Sequence, residues 1–486
     1  MASGTWYHAA VTYDGINVRL YVNGVEDANS PWAEAAMSVA TAHSVFVGSY
    51  KSNARFFDGV LDDVRFYDSS LLTPEVDAIY HLTAGRYRRS IGTNTGTVYN
   101  AGNATVAAGS KTVTFAGGAD LPANAGQGDV LTIGADTYHI FSKVSATEVT
   151  IHTPSANPHT TTAYTITRAY NTLQAWEDAR GGAMTTEHRV EIGVAYNDGS
   201  FTTGLVIDGN TTDSVHNMTL TVAEGQRHDG AAGTGVVLDM LGDAVTIPMS
   251  LRDRYKTVEW FEVTNSAYTQ GGFNIVGNAE LSNLLVHDVG TVGIVIWTII
   301  AGGDTATVRN CIIYDVDQAG IISMGSGSPV YTTIENCTIS TNDGGLYGVF
   351  FNMDQTITCR NTICVNSLYD FMVAGTMTTN YFGYNMFGTW FSPTGWDPDD
   401  YDGNNQTPPA DLEDLFYTLT AGIEYYNLEW DGHDAWDTGL DLSASFTLDI
   451  DGITRTDAWD IGADEAITGN DLLRCKVLTW HEIEPQ

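Results

Sequence analysis

The chemical reading of this sequence starts from four aspartates at matched positions. In "VRNCIIYDVDQAG" (Val308–Gly320), Asp315 and Asp317 follow an apolar run. The stretch "LSNLLVHDVG" from Leu281 places Asp288 where the first copy has Asp315, and "IENCTISTNDGG" from Ile334 places Asp343 where it has Asp317. Stacked in successive coils about 4.8 Å apart, like-charged carboxylates repel and must share a proton, take a cation or be screened by water. Such spacing suits the roughly 5–5.5 Å carboxylate pair of a retaining glycosidase. It suits calcium equally, with Asp315, Asp317 and Asp343 as oxygen ligands. A third reading needs no ligand, because Asp and Asn favour turns, where they bond their own backbone. No catalytic residue is assigned; Asp288, Asp315, Asp317 and Asp343 are the candidates should there be one.

Other stretches carry weaker chemistry. "SLRDRYK" gathers Arg252, Arg254 and Lys256, a base and cationic groups for a uronate lyase, or one solvated strand face. His287 reads as a surface histidine. "DPDDYDGNN" at Asp397 and "DIDG" at Asp449 approach the D-x-D-x-D-G calcium loop, but Pro398 and Thr447 stand at the first ligand position. "GTWFSPTGWDPDDYDG" holds Trp390, Phe391, Trp396 and Tyr401 beside acids. Trp390, Trp396 and Tyr401 form a candidate sugar-stacking edge, or aromatics packed over the end of a larger element.

The element that would position these groups is a repeat. Rows begin at Val258, Leu281, Val308, Ile334 and Cys359, at spacings of 23, 27, 26 and 25 residues. Their first and sixth positions are apolar or cysteine; the third is Trp260, then Asn283, Asn310, Asn336 and Asn361. A period in the twenties with short β-branched runs and Gly-rich joints indicates a β-solenoid, whose coils share one core because none buries its own apolar face. The Asn file is expected to hydrogen-bond from coil to coil and satisfy backbone groups at a bend. These rows resemble the right-handed parallel β-helix superfamily of pectate lyases and phage tailspikes, which implies an all-β right-handed parallel β-helix over residues 169–466. "YNTLQAWEDARGG" predicts a short amphipathic helix capping its N-terminal end. "DLSASFTLDIDGITRTDAWDIGADE" resembles the closing segment of such proteins, with Arg455 answering Asp451, Asp457 and Asp460, and a tail at 467–486 follows.

Upstream, "TWYHAAVTYDG", "LYVNG" and "GVLDDVRFY" alternate apolar and polar residues around Asp14-Gly15 and Asn23-Gly24 turns. They resemble the laminin-G-like, concanavalin-A-type jelly roll, here a partial sandwich over residues 1–85 that missing sequence or another subunit would complete. Asp62-Asp63 is expected to be structural, and Asp58 is not assigned as a ligand. "GDVLTIG" and "SATEVTI" resemble a small β-barrel-like linker module found before β-helices in phage tail proteins, expected over 96–168.

With 21 basic against 59 acidic residues, the net charge of −38 excludes nucleic acid and anionic membrane surfaces as partners. Between Phe391 and Ala466, 19 acids face the single Arg455. Four of five cysteines fall at strand positions of the repeat and read as small buried hydrophobes. No run of about 18 apolar residues occurs, and "MASGTWYHAAVTYDG" lacks the features of an export signal. The sequence favours a noncatalytic, carbohydrate-facing surface or virion appendage that meets a glycan surface, with a homotrimer or other virion proteins as partners by tailspike analogy. A polysaccharide hydrolase or lyase and a purely structural fibre component are the alternatives.

Overall fold

The computed structural model describes residues 9–22, 25–33, 49–50, 54–56, 66–67, 70–72, 76, 85–118, 120–267, 271–298, 304–325, 331–341, 345–352, 355–375, 377–393, 395, 397–398, 404–419, 425–428, 434–455 and 459–466. The chain divides into two compact units, residues 1–85 and 86–486.

In the first unit, Ala9–Tyr13 and Asn17–Val22 pair antiparallel, with Val25–Glu26 and Trp32–Ala33 both against the second strand. The Asp14-Gly15 turn closes the hairpin: Asp14 accepts from the Ile16 and Asn17 amides at 2.9 and 2.7 Å, and Gly15 takes φ 93°. Only glycine adopts that backbone without a Cβ penalty. The Asn23-Gly24 turn and Asp58, Asp62 and Asp63 lie outside the described residues.

Within the second unit, the eight strands between Thr97 and Thr167 form one antiparallel sheet around their own core, with Val113, Leu131, Ile140 and Ile166 fully buried. Arg168 ties this module to the first coil. Its guanidinium meets Asp129 at 2.8 Å and Asp198 at 2.6 Å and lies 3.7 Å above the Tyr196 ring. Helix Leu173–Arg180 follows, capped by the Thr172 hydroxyl, and sets Leu173 and Trp176 into the solenoid core.

The solenoid is a parallel β-helix of about seven turns. Sheet 1 runs from Arg189–Ala195 to Met377–Gly383 with Gly85–Ile91 added at its first edge, sheet 2 from Val236–Asp243 to Met386–Phe387, and sheet 3 from Leu205–Ile207 to Trp390–Phe391. Alternation on sheet 1 is the sequence alternation made spatial: in Thr305–Arg309, Ala306 and Val308 are buried while Thr305 is exposed. Sheet 2 differs. Ile312–Tyr314, Thr338–Ser340 and Ile363–Val365 are buried at every residue, as expected of strands covered on both faces.

The outer cover is the C-terminal segment. Leu415, Phe416, Tyr426, Ile450 and Ile461 pack on the outward residues Leu285, Ile312, Tyr314, Ile363 and Met386. The segment expected to end the solenoid therefore lies along its flank. Arg455 bonds Glu465 at 3.0 Å and the carbonyls of Gly462, Ala463 and Asp464. Of its expected partners, Asp457 lies outside the described residues, as does the 467–486 tail. Cys311, Cys337, Cys359 and Cys364 are buried and free.

Candidate functional site

Two bends separate sheet 1 from sheet 2 and sheet 2 from sheet 3, and both are built on left-handed residues. At the first, Asn283, Asn310, Asn336 and Asn361 take φ of 53, 50, 49 and 52°. Pairing of Ser282 with Arg309, Arg309 with Glu335 and Glu335 with Arg360 puts them in one file. Asparagine tolerates this region because its short amide bonds locally. Trp260 and Tyr384 hold the same conformation at the file's ends (φ 68 and 57°). Beside Tyr384, Asn385 satisfies Thr362 N–H at 3.1 Å and the Cys359 carbonyl at 3.0 Å, a role that its offset of one residue hid from the row alignment.

The Asn amides make one coil-to-coil bond, Asn361 Nδ2 to Asn336 Oδ1 at 3.2 Å. Their other partners belong to the C-terminal segment. Asn283 donates to the Asp449 carbonyl and Asn310 to that of Leu448. Asn336 donates to the Gly462 carbonyl at 3.2 Å. Asn361 exchanges two 2.8 Å bonds with the Leu440 backbone. The file is a docking strip more than a ladder.

At the second bend Asn265, Asp288, Asp315 and Asn366 share φ of 56, 50, 49 and 60°. Pairing of Val286 with Ile313 and Val289 with Val316 places Asp288 in register with Asp315. Both carboxylates thus stand on left-handed turn residues. Asp315 is half-buried and Asp317 exposed; Asp343 lies outside the described residues. Asp288 is not isolated: it accepts from His287 Nδ1 at 2.8 Å, while Nε2 meets the buried Glu262 at 3.1 Å. Far from being a surface group, His287 is 6% exposed and stacks on Tyr314 at 4.8 Å. Burial pulls its pKa down, but the bonds to Asp288 and Glu262 outweigh that and raise it to about 9.

The basic stretch does not form one face. Arg252 is exposed and meets Asp208 at 3.3 Å, and Arg254 lies 2.9 Å from the buried Asp304. Lys256 is 2% exposed and donates to the Val276 carbonyl at 2.9 Å. Burial lowers its pKa to about 7. That is the proton affinity of a base, but a buried ammonium offers a polymer no approach.

Sheet 3 presents a different surface. Its first outward position runs Val292, Ala319, Tyr347 and Tyr369 in register. Tyr347 and Tyr369 stack at 6.4 Å and 18°, Tyr369 meets Phe391 at 5.3 Å, and Tyr347 meets Phe350 at 4.7 Å. Leu346, Leu368, Trp390 and Phe391 around them are 37, 57, 38 and 42% exposed. Of the candidate sugar-stacking residues, Trp390 thus sits in the last strand of this sheet; Trp396 and Tyr401 lie outside the described residues. The rest of the aromatic file falls outside the row motif. Its signal in sequence is Tyr at equivalent places in "LYGVFF" and "LYDFMV".

Among the described residues, the carboxylates close enough to share a metal ion are Asp449, Asp451 and Asp464, with ligand atoms within 4.8 Å of one another.

Residues 1–77 match the model of the concanavalin A-like lectin/glucanases superfamily. No curated protein matches the chain. Among solved structures, the chain is similar to the tailspike protein gp49 from Pseudomonas phage LKA1, at 14% identity and TM-score 0.17, covering 63% of this chain and 52% of that one. It thus spans about half the length of that protein. The Pseudomonas phage phi297 tailspike gp61 follows at 12% identity and TM-score 0.13, covering 69% of each chain. The gp54 tailspike of Acinetobacter baumannii bacteriophage AP22, solved with an A. baumannii capsular saccharide, follows at 10% and 0.13, covering 70% of this chain and 69% of that one. At such TM-scores no ligand or activity is carried over. The chain is a parallel β-solenoid protein preceded by a region similar to the concanavalin A-like lectins and glucanases.

Proposed function

We propose that this chain is a noncatalytic, glycan-binding appendage protein of the tail-fibre or tailspike kind, acting at a virion or other extracellular surface. The aromatic file Tyr347–Tyr369–Phe391 on the outer face of sheet 3 carries the reading. A pyranose presents a flat C–H face, and rings repeated along the coil axis offer successive sugars the same apolar platform. An exposed apolar strip of this kind marks an interaction surface. The similarity of residues 1–77 to lectins and glucanases supports a carbohydrate partner for the first unit as well. A net charge of −38 disfavours polyanionic capsules, so the glycan is neutral or cation-bridged. The groups that a depolymerase would use are engaged elsewhere: Asp288 with His287, Arg252 with Asp208, Arg254 with Asp304. Homotrimer formation and contacts with other virion proteins belong to the same proposal. No helix among the described residues is long and apolar enough to cross a membrane.

Titration against a panel of neutral polysaccharides tests the reading. Tyr369→Ala and Phe391→Ala are each expected to weaken binding about 2–10-fold. If the double variant binds like the parent, or the parent binds nothing in the panel, the proposal fails. If the parent shortens a polysaccharide and Asp315→Asn does not, depolymerisation replaces binding as the function.

A further inference from the structure

The back-folded segment carries the densest burial of negative charge among the described residues. Asp449, Asp460, Asp464 and Glu465 are 0, 1, 5 and 9% exposed, and Asp451 is half-buried. The one arginine among them, Arg455, spends its guanidinium on Glu465 and three carbonyls. Among the described residues, Asp449, Asp451 and Asp464 have their ligand oxygens within 4.8 Å of one another and no cationic side chain in salt-bridge contact. Three like charges at that separation are not stable without a counter-charge.

The backbone aims them at one point. A tight turn from Asp449 to Gly452, closed by Gly452 N–H on the Asp449 carbonyl at 3.3 Å, brings Asp451 back beside Asp449. Pairing of Ile450 N–H with the Ala463 carbonyl at 3.0 Å delivers Asp464. Backbone amides orient one oxygen of each: Ile453 N–H donates to Asp449 Oδ1 at 2.7 Å and to Asp451 Oδ1 at 3.3 Å, and Leu428 N–H donates to Asp464 Oδ2 at 2.8 Å. A separate observation points to a ligand: among the described residues Asp449 Oδ2 is buried with no hydrogen-bond partner, in a residue with no exposed surface. Bound protons or a bound cation can neutralise such a cluster.

We propose that Asp449, Asp451 and Asp464 form a divalent-cation site, taking Ca2+, that fastens the C-terminal segment to the asparagine file. The donor set is oxygen only, which selects a hard cation, and three carboxylates on an irregular turn suit the flexible six to eight oxygen ligands of calcium better than the strict octahedron of magnesium. The Asp449 carbonyl receives the Asn283 amide, so an ion on the Asp449 carboxylate holds a loop whose backbone is docked on the solenoid. The site is independent of the glycan reading, since sheet 3 contributes nothing to it.

The test uses the full chain after chelation. Adding Ca2+ at about 100-fold over its dissociation constant is expected to raise Tm by about 3–5 °C. Tb3+ should give tryptophan-sensitised emission, since a Cβ on Gly452 would lie 3.4 Å from the Trp260 ring. Asp451→Asn and Asp464→Asn should abolish both signals, and each chelated variant should be at least as stable as the chelated parent, because a like charge is gone. No Tm response up to about 10 mM Ca2+ and no Tb3+ emission from the parent would mean that protons neutralise the cluster, and would overturn the site. A Ca2+ response that survives in both variants would overturn it too.

Discussion

Replacing Asn361 separates the two jobs of the asparagine file. The residue is fully buried, holds φ 52°, and exchanges two 2.8 Å bonds with the Leu440 backbone. Alanine strands both Leu440 groups and removes the longer 3.2 Å bond to Asn336 Oδ1, together about 2 kcal/mol, toward the low end of the range because Leu440 is half-buried. It also puts a side chain with no local hydrogen bond into the left-handed region, for about 1 kcal/mol more. The expected loss for Asn361→Ala is thus about 3 kcal/mol. Glycine loses the same three bonds but escapes the Cβ clash, worth about 1–2 kcal/mol, and gives back about 0.4–1 kcal/mol of unfolded-chain entropy. Asn361→Gly should therefore cost about 2 kcal/mol, roughly 1 less than alanine. Urea unfolding measures both, and limited proteolysis of residues 434–455 should quicken in both, since each frees the segment from the file. Losses below about 0.5 kcal/mol in both variants would show that the amides do not fasten the segment. Glycine as damaging as alanine would show that the bend is not strained.

Other expectations follow from single contacts. His287 is held at a pKa of about 9 between Glu262 and Asp288, with the Thr264 hydroxyl at 3.2 Å and the Tyr314 ring facing it. A raised folded pKa gives stability that is complete below about 6.5 and lost as pH rises through about 9. The gap between parent and His287→Gln, about 1–3 kcal/mol at pH 6 after allowing for the exposure of Asp288, should therefore close by pH 10, and a gap unchanged across that range would refute the ion pairs. Lys256→Met should stabilise the fold by about 1–4 kcal/mol at neutral pH, because it removes a buried amine that no carboxylate among the described residues bonds; destabilisation in urea would show that its bond to Val276 outweighs desolvation. Gly320→Ala should cost about 1–3 kcal/mol, since a Cβ there would lie 2.3 Å from Ile339 Cγ2 and 2.9 Å from the Gly348 carbonyl; a neutral Tm would mean that the corner yields.

The repeat is legible in the amino-acid order alone. Stacking of one coil on the next is a nearest-neighbour relation, so identical requirements recur at one period, and Val308, Asn310 and Ile313 align with Ile334, Asn336 and Ile339. The same logic made "CII" and "TIC" legible as short buried strands, and Asp288 and Asp315 as one file. What those files meet is set by long-range packing. The partner of Asn283 lies 166 residues away and that of Asn361 lies 79 away, in a segment that has no period and whose docking is a single long-range closure. For the same reason His287 looked exposed. Its outward position in the row is covered by Tyr314 from the next coil and by Tyr426 beyond it, 4.9 Å from Tyr314. The aromatic face of sheet 3 escaped the rows because it begins after the second bend, and only strand pairing brings Tyr347 over Tyr369.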